Sequence, residues 1–120
     1  MKKKVLRAGI IGSGFAAKFH YDALQRVFST KVEIIGAYSP THQKLLDFTG
    51  PRNLRAFNSI EDVIKEADVI HVCTPPVTHE PVVIAALQQN KYVVVEKPFT
   101  GYLEMAVMNL TGIHFPGKRA

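Results

Sequence analysis

The stretch VLRAGIIGSGFAA, residues 5–17, decides how this chain folds. Its first half, Val5 to Ile11, is an apolar run with one charge near its start, which suits a strand buried on both faces of a parallel sheet. Gly12 breaks the run. From Gly14 onward, Ala17, Tyr21, Leu24 and Phe28 recur at spacings of four, three and four, one stripe of an amphipathic helix that Ser29 and Thr30 end. A strand therefore passes into a helix through Gly12-Ser13-Gly14-Phe15-Ala16-Ala17.

That turn matches the dinucleotide-binding pattern G-x-G-x-x-G/A, and the strand before it and the helix after it give the match its weight. Each small residue has a steric task. Gly12 takes backbone angles closed to other residues, Gly14 admits a pyrophosphate without a side chain in the way, and Ala17 lets the helix pack closely on the strand. The free N–H groups and positive dipole end of the helix face the phosphates, so Ser13, Phe15 and Ala16 are expected to bind through the turn itself. A P-loop is excluded because no Gly-Lys-Ser/Thr follows.

Outward from the turn, strands and helices alternate. Val32 to Tyr38 reads as a second strand, followed by Ser39 and Pro40 as cap and first-turn proline of a short helix. Leu45 and Phe48 pack that helix down and Gly50 stops it. Leu54 to Phe57 forms a short edge strand, and Ser59 caps a helix bearing Ile60, Val63, Ile64 and Ala67, with Glu61 and Asp62 at its positive end. Asp68 to Cys73 is the next strand, Thr78 begins a helix with Val83, Ala86 and Leu87, and Tyr92 to Val95 is a further strand. The residues Tyr102 to Leu110 admit a helix, and Thr111 to Gly117, with two glycines and a proline, has no assignment. The alternation predicts an α/β fold, a Rossmann-type doubly wound parallel sheet that is incomplete at its C-terminal side.

Composition sets the bounds. The 120 residues fit one domain, and 47% hydrophobic content is ample for its core. No apolar run reaches the roughly 18 to 20 residues of a membrane span, and the basic start is no signal peptide, so a cytoplasmic protein with no membrane partner is expected. The lone Cys73 rules out a disulfide framework or a multi-cysteine metal site and fits a reducing compartment. The net charge of +5 comes largely from Lys2, Lys3, Lys4, Lys118 and Arg119 at the two ends. No basic stripe interleaved with aromatics follows them, so no nucleic-acid partner is expected. His20 and His71 read as structural, since neither has metal-ligand spacing with another His, Cys or carboxylate, and no metal is expected.

In this fold an acid at the end of the second strand binds the ribose hydroxyls of NAD. Here the position falls around Tyr38 and Ser39, with no acid. Ser39, Thr41, His42 and Lys44 instead offer groups suited to a 2'-phosphate, so the cofactor is NAD or NADP with a lean to NADP. Ser39 as a plain helix cap is compatible with either.

Two stretches fall where the sheet's carboxyl edge is expected: Cys73-Thr74-Pro75-Pro76-Val77-Thr78-His79, and Glu96-Lys97-Pro98-Phe99. Together with the glycine turn, and in this order from Leu6 to about Tyr102, they resemble the Gfo/Idh/MocA family of oxidoreductases, which includes glucose-fructose oxidoreductase and inositol dehydrogenases. The resemblance implies that Cys73, Thr74, Pro75 and His79 lie beside the cofactor, that Glu96 approaches the nicotinamide ribose, and that Lys97 is the catalytic residue reaching the reacting carbon's oxygen. An ammonium there stabilises charge on that oxygen while hydride passes to or from the nicotinamide. The substrate it implies is a sugar, inositol or related polyol.

Family members continue into a second domain that carries the substrate pocket, and nothing in this sequence matches it. The expectation is one NAD(P)-binding domain over residues 1–120 without its substrate domain, inactive alone, and open at a sheet edge that favours a homodimer. Two other classes stay open. A non-catalytic nucleotide-binding or redox-sensing module uses the same turn, and an S-adenosylmethionine methyltransferase shares it but has no need of Glu96-Lys97-Pro98.

Overall fold

The structure is a computed structural model and describes residues 5–28, 30–75, 78–99, 102–109 and 112–114, with side chains up to residue 95. Its elements run β1 (Val5–Ile11), α1 (Phe15–Leu24), β2 (Lys31–Tyr38), α2 (His42–Arg52), β3 (Arg55–Ala56), α3 (Ile60–Glu66), β4 (Val69–Val72), α4 (His79–Gln88), β5 (Tyr92–Phe99), β6 (Tyr102–Asn109) and β7 (Gly112–His114). The strands form one sheet in the order β3-β2-β1-β4-β5-β6-β7. The first five are parallel, and the order reverses between β1 and β4, the crevice where open α/β sheets take their ligands. This is the expected Rossmann-type sheet.

Helices cover both faces. On one, Val63 and Ile64 of α3 and Val82 and Ala86 of α4 pack on Ile70, Val72, Val93 and Val95. On the other, Ala17 of α1 and Leu45 and Phe48 of α2 pack on Ile10 and Ala37. Ala17 is fully buried there, as its small size in the turn motif requires. Gly9 of β1 leaves room for α3, since a Cβ at that position would meet Val63 Cγ1 at 2.4 Å.

Several local expectations are corrected. Helix α1 stops at Leu24, and Arg26 N and Val27 N turn back to Ala23 O and Leu24 O, so the helix tightens and ends before Phe28. Phe28 is 86% exposed rather than part of the packed stripe. Gly50 does not stop α2. The helix continues through Pro51 to Arg52 and ends where Asn53 takes a left-handed conformation at φ 56°. Its cap position is Thr41 rather than Ser39. Ser59 caps α3 as expected, its Oγ accepting from Asp62 N at 3.1 Å.

The largest difference lies beyond β5. The segment that admitted a helix is the strand β6, antiparallel to β5 from Val93↔Met108 to Phe99↔Tyr102, and β7 adds to it. Pairing decides the matter, because seven consecutive positions of β5 satisfy backbone groups that a helix at residues 102–109 would leave open. It also lengthens β5 through Glu96-Lys97-Pro98-Phe99, which the sequence placed after the strand.

Candidate dinucleotide site

Three backbone junctions meet at the carboxyl ends of β1, β2 and β4. Gly12 N donates to Tyr38 O at 2.7 Å, and Cys73 N donates to Ile11 O at 2.8 Å. The glycine turn is thereby sewn to both neighbours. Gly12 has φ +120°, and a Cβ there would lie 2.6 Å from Cys73 O, so both backbone angle and space demand glycine. Gly14 differs: its φ of −90° suits any residue, and nothing stands within 4 Å of where its Cβ would be. The space is open because it faces a cavity, and this is where a diphosphate would reach the first N–H groups of α1.

The cavity has a volume of about 760 Å³. Ile11, Gly12, Ser13, Gly14 and Ala16 form one side of it, Tyr38, Ser39, Pro40, Thr41 and Lys44 another, and Cys73, Thr74 and Pro75 a third. Most of the residues singled out in the sequence thus come together, although Gly12 and Pro75 lie 63 residues apart. Ser13 Oγ donates to Ser39 Oγ at 2.9 Å, joining the turn to the end of β2. Ser39 is buried and spends its hydroxyl there rather than on a helix cap.

Three of the expected residues stand elsewhere. Phe15 is 85% exposed at the start of α1 and His42 is exposed at the start of α2, both off the cavity wall. His79 is half-buried behind it, with Nε2 2.6 Å from Thr74 O. Glu96 and Lys97 have their backbone in β5, and their side chains lie outside the described residues.

The sequence reading missed Lys18, Asp47 and Thr78, which also line the cavity. Lys18 was legible in principle: it follows Gly14 by four residues, one helical turn, on the same face. Asp47 supplies an acid that the end of β2 lacks, yet it comes from α2, where Gln43 Nε2 donates to its Oδ1 at 2.9 Å. No local pattern marks such a residue.

Thr74 Oγ1 is closed to water and has no hydrogen-bond partner among the described residues. The open Gly14 face beside the N-terminus of α1 fits a ligand rich in oxygen acceptors. Residues Gly14, Ser13, Ser39, Thr41 and Lys44 are those that would hold a dinucleotide.

Beneath the site, His20 of α1 and His71 of β4 are buried with their Nδ1 atoms 2.9 Å apart, one donating to the other. Burial, and then the electrostatic influence of His20, hold the His71 pKa down at about 3. No group of three potential metal ligands comes together among the described residues.

Fold and cavity together define a dinucleotide-binding Rossmann domain. Residues 6–111 match the family model described as the oxidoreductase family, NAD-binding Rossmann fold, and the chain belongs to that Gfo/Idh/MocA family. It is 27% identical over 95 residues to UDP-N-acetylglucosamine 3-dehydrogenase from Acidithiobacillus ferrooxidans, covering 79% of this chain and 29% of that protein. It is 31% identical over 116 residues to inositol 2-dehydrogenase 3 from Saccharopolyspora erythraea, covering 95% of this chain and 34% of the relative. The WlbA dehydrogenase from Bordetella pertussis, solved with NADH and UDP-GlcNAcA, superposes with a TM-score of 0.72 at 25% identity, over 82% of this chain and 30% of that one. The chain thus spans about a third or less of the length of these relatives. No helix among the described residues is long and apolar enough to cross a membrane.

Proposed function

We propose that this chain is the cofactor half of an oxidoreductase that moves hydride between NAD(P) and a sugar, inositol or related polyol. The observation that carries the reading is the cavity at the reversal of strand order, where the bare Gly14 face and the start of α1 meet Ser39, Thr41 and Lys44. The bound dinucleotide would take hydride from the substrate carbon, or return it, as the substrate hydroxyl loses or regains its proton. Lys97 is assigned the catalytic place by the family resemblance: its ammonium stabilises charge on that oxygen. Relatives that act on UDP-N-acetylglucosamine and inositol support the substrate class.

NADP is favoured slightly over NAD. Support comes from Ser39 after β2, paired with Ser13 of the glycine turn, and from Lys44, a cation on the wall suited to a 2'-phosphate, against Asp47, the one acid among the described lining residues. Titrating NADH and NADPH by fluorescence tests both levels of the reading. Binding of either supports the cofactor half, a comparable or tighter NADPH affinity supports the preference, and a hundredfold NADH advantage overturns it. The 120-residue chain alone is expected to turn over no polyol, and measured hydride transfer by it would refute that. A cytosolic location and self-association belong to the same reading, the latter supported by the exposed Phe15, Phe19 and Phe28.

A further inference from the structure

Helices α1 and α2 run in the same direction, since each returns from one strand to the next parallel strand of the sheet. They meet through Tyr21 and Phe48, whose ring centroids lie 6.3 Å apart, edge to face. One turn earlier on each helix, and so nearer the carboxyl edge, stand Lys18 and Lys44. Long helical side chains lean toward the N-terminus of their helix, here toward that edge. Both lysines line the cavity, and Phe48 shares its wall. The cleft between α1 and α2 is thus a basic extension of the cavity, to one side of the glycine turn.

Among the described residues neither ammonium is committed: the ion pairs there all use Glu66 of α3, with Arg7 and Arg55 as partners. Asp47, the one acid among the described lining residues, accepts from Gln43 Nε2 at 2.9 Å. Thr41, also in the wall, caps α2 without a side-chain hydrogen bond. Two ammonium groups and a hydroxyl around one cleft suit a doubly charged oxyanion, which they attract more than the single Asp47 repels it. We propose that Lys18 is a specificity-determining residue for the cofactor: with Lys44 it holds the 2'-phosphate of NADP in the cleft between α1 and α2. This rests on the dinucleotide reading of the cavity. It gives the first helix a part in a choice that the fold ordinarily makes at the end of β2. NADH carries a hydroxyl in place of that phosphate and makes no use of Lys18.

The test is a set of variants of this chain titrated with NADPH and NADH at low ionic strength. Lys18→Met keeps a straight side chain of good helix propensity and is expected to weaken NADPH about fivefold, while NADH moves by less than about twofold. Lys18→Arg keeps the charge and should hold NADPH within about twofold of the unaltered chain. In about 0.5 M salt the loss in Lys18→Met should shrink below about twofold, because an exposed charge pair is screened. Asp47→Asn gives a second reading of opposite sign: with the opposing charge gone, the ratio of NADPH to NADH affinity should rise about threefold. Equal weakening of both dinucleotides in a folded Lys18→Met would put the lysine on the shared diphosphate and overturns the proposal. Unchanged NADPH affinity in Lys18→Met overturns it as well, as does an unchanged or lower ratio in Asp47→Asn. An unaltered chain that binds NADH but not NADPH also overturns it and leaves the dinucleotide reading standing. If the unaltered chain binds neither, that underlying reading falls.

Discussion

The two faces of the sheet are built on different terms. Under α3 and α4 the buried set is apolar throughout: Phe57, Val63, Ile64, Ile70, Val72, Val82, Val93 and Val95 among them. Under α1 and α2 the apolar cluster is smaller, and polar groups are buried around it: the His20–His71 pair, and Thr49, whose Oγ1 donates to Leu45 O at 2.9 Å. The face under α1, the helix that opens onto the cavity, is the one that carries buried polar chemistry. A purely apolar face depends on volume alone, whereas the α1 side depends also on where single protons sit.

Acid should separate the two faces most. The folded pKa of His71, about 3, lies below the unfolded value of 6.5, so the neutral form is favoured by folding. Its contribution is complete above pH 6.5 and is lost as pH falls toward 3, on the order of 5 kcal/mol across that window. Urea unfolding at stepped pH checks this: the slope of stability against pH should flatten in His71→Val, and an unaltered slope would remove the histidine pair from the account.

A cavity in the apolar face should have the next largest effect. Ile70 is fully buried, and Ile70→Ala is expected to cost about 3 kcal/mol, read as a lower urea midpoint at constant slope. Its effect should be nearly the same at pH 7 and pH 5, and folded protein should keep its dinucleotide affinity. Loss of affinity without loss of stability would mean that the faces are not separable.

The smallest change in stability should accompany a clear change in binding. In Gly14→Ala the added Cβ meets no protein atom beyond its chain neighbours and no forbidden angle, so stability should fall by no more than the cost of a poorer helix cap, about 1 kcal/mol or less. The added side chain stands in the space left for diphosphate, and affinity for NADH and NADPH should fall by more than about tenfold, or 1.4 kcal/mol. Unchanged affinity would place the phosphates elsewhere.

Much of this was legible in the residues because it is local. The sequence of alternating strands and helices followed from periodicity, and Gly12, Gly14 and Ala17 announced their tasks by spacing alone. Elements were misread where a distant partner outweighed local preference. Residues 102–109 carry no strong helical stripe and became a strand because β5 offers them a full ladder. Ser39 has the chemistry of a cap, yet Ser13 sits close enough to claim its hydroxyl. Asp47 reaches the cavity from α2 with nothing in its neighbours to signal it, whereas Thr78 lies in the stretch already placed at the carboxyl edge and was read only as a helix start.

The sequence by itself determined the order of elements, the glycine turn and the class of ligand that such a turn accepts. These depend on backbone angles and side-chain bulk within a few residues. Tertiary structure alone decided that Ser13 meets Ser39, that His20 meets His71, and that His79 holds Thr74 behind the cavity wall. Hydrogen bonds of this kind require atoms about 3 Å apart, and that precision comes only from the packing of whole elements on the sheet.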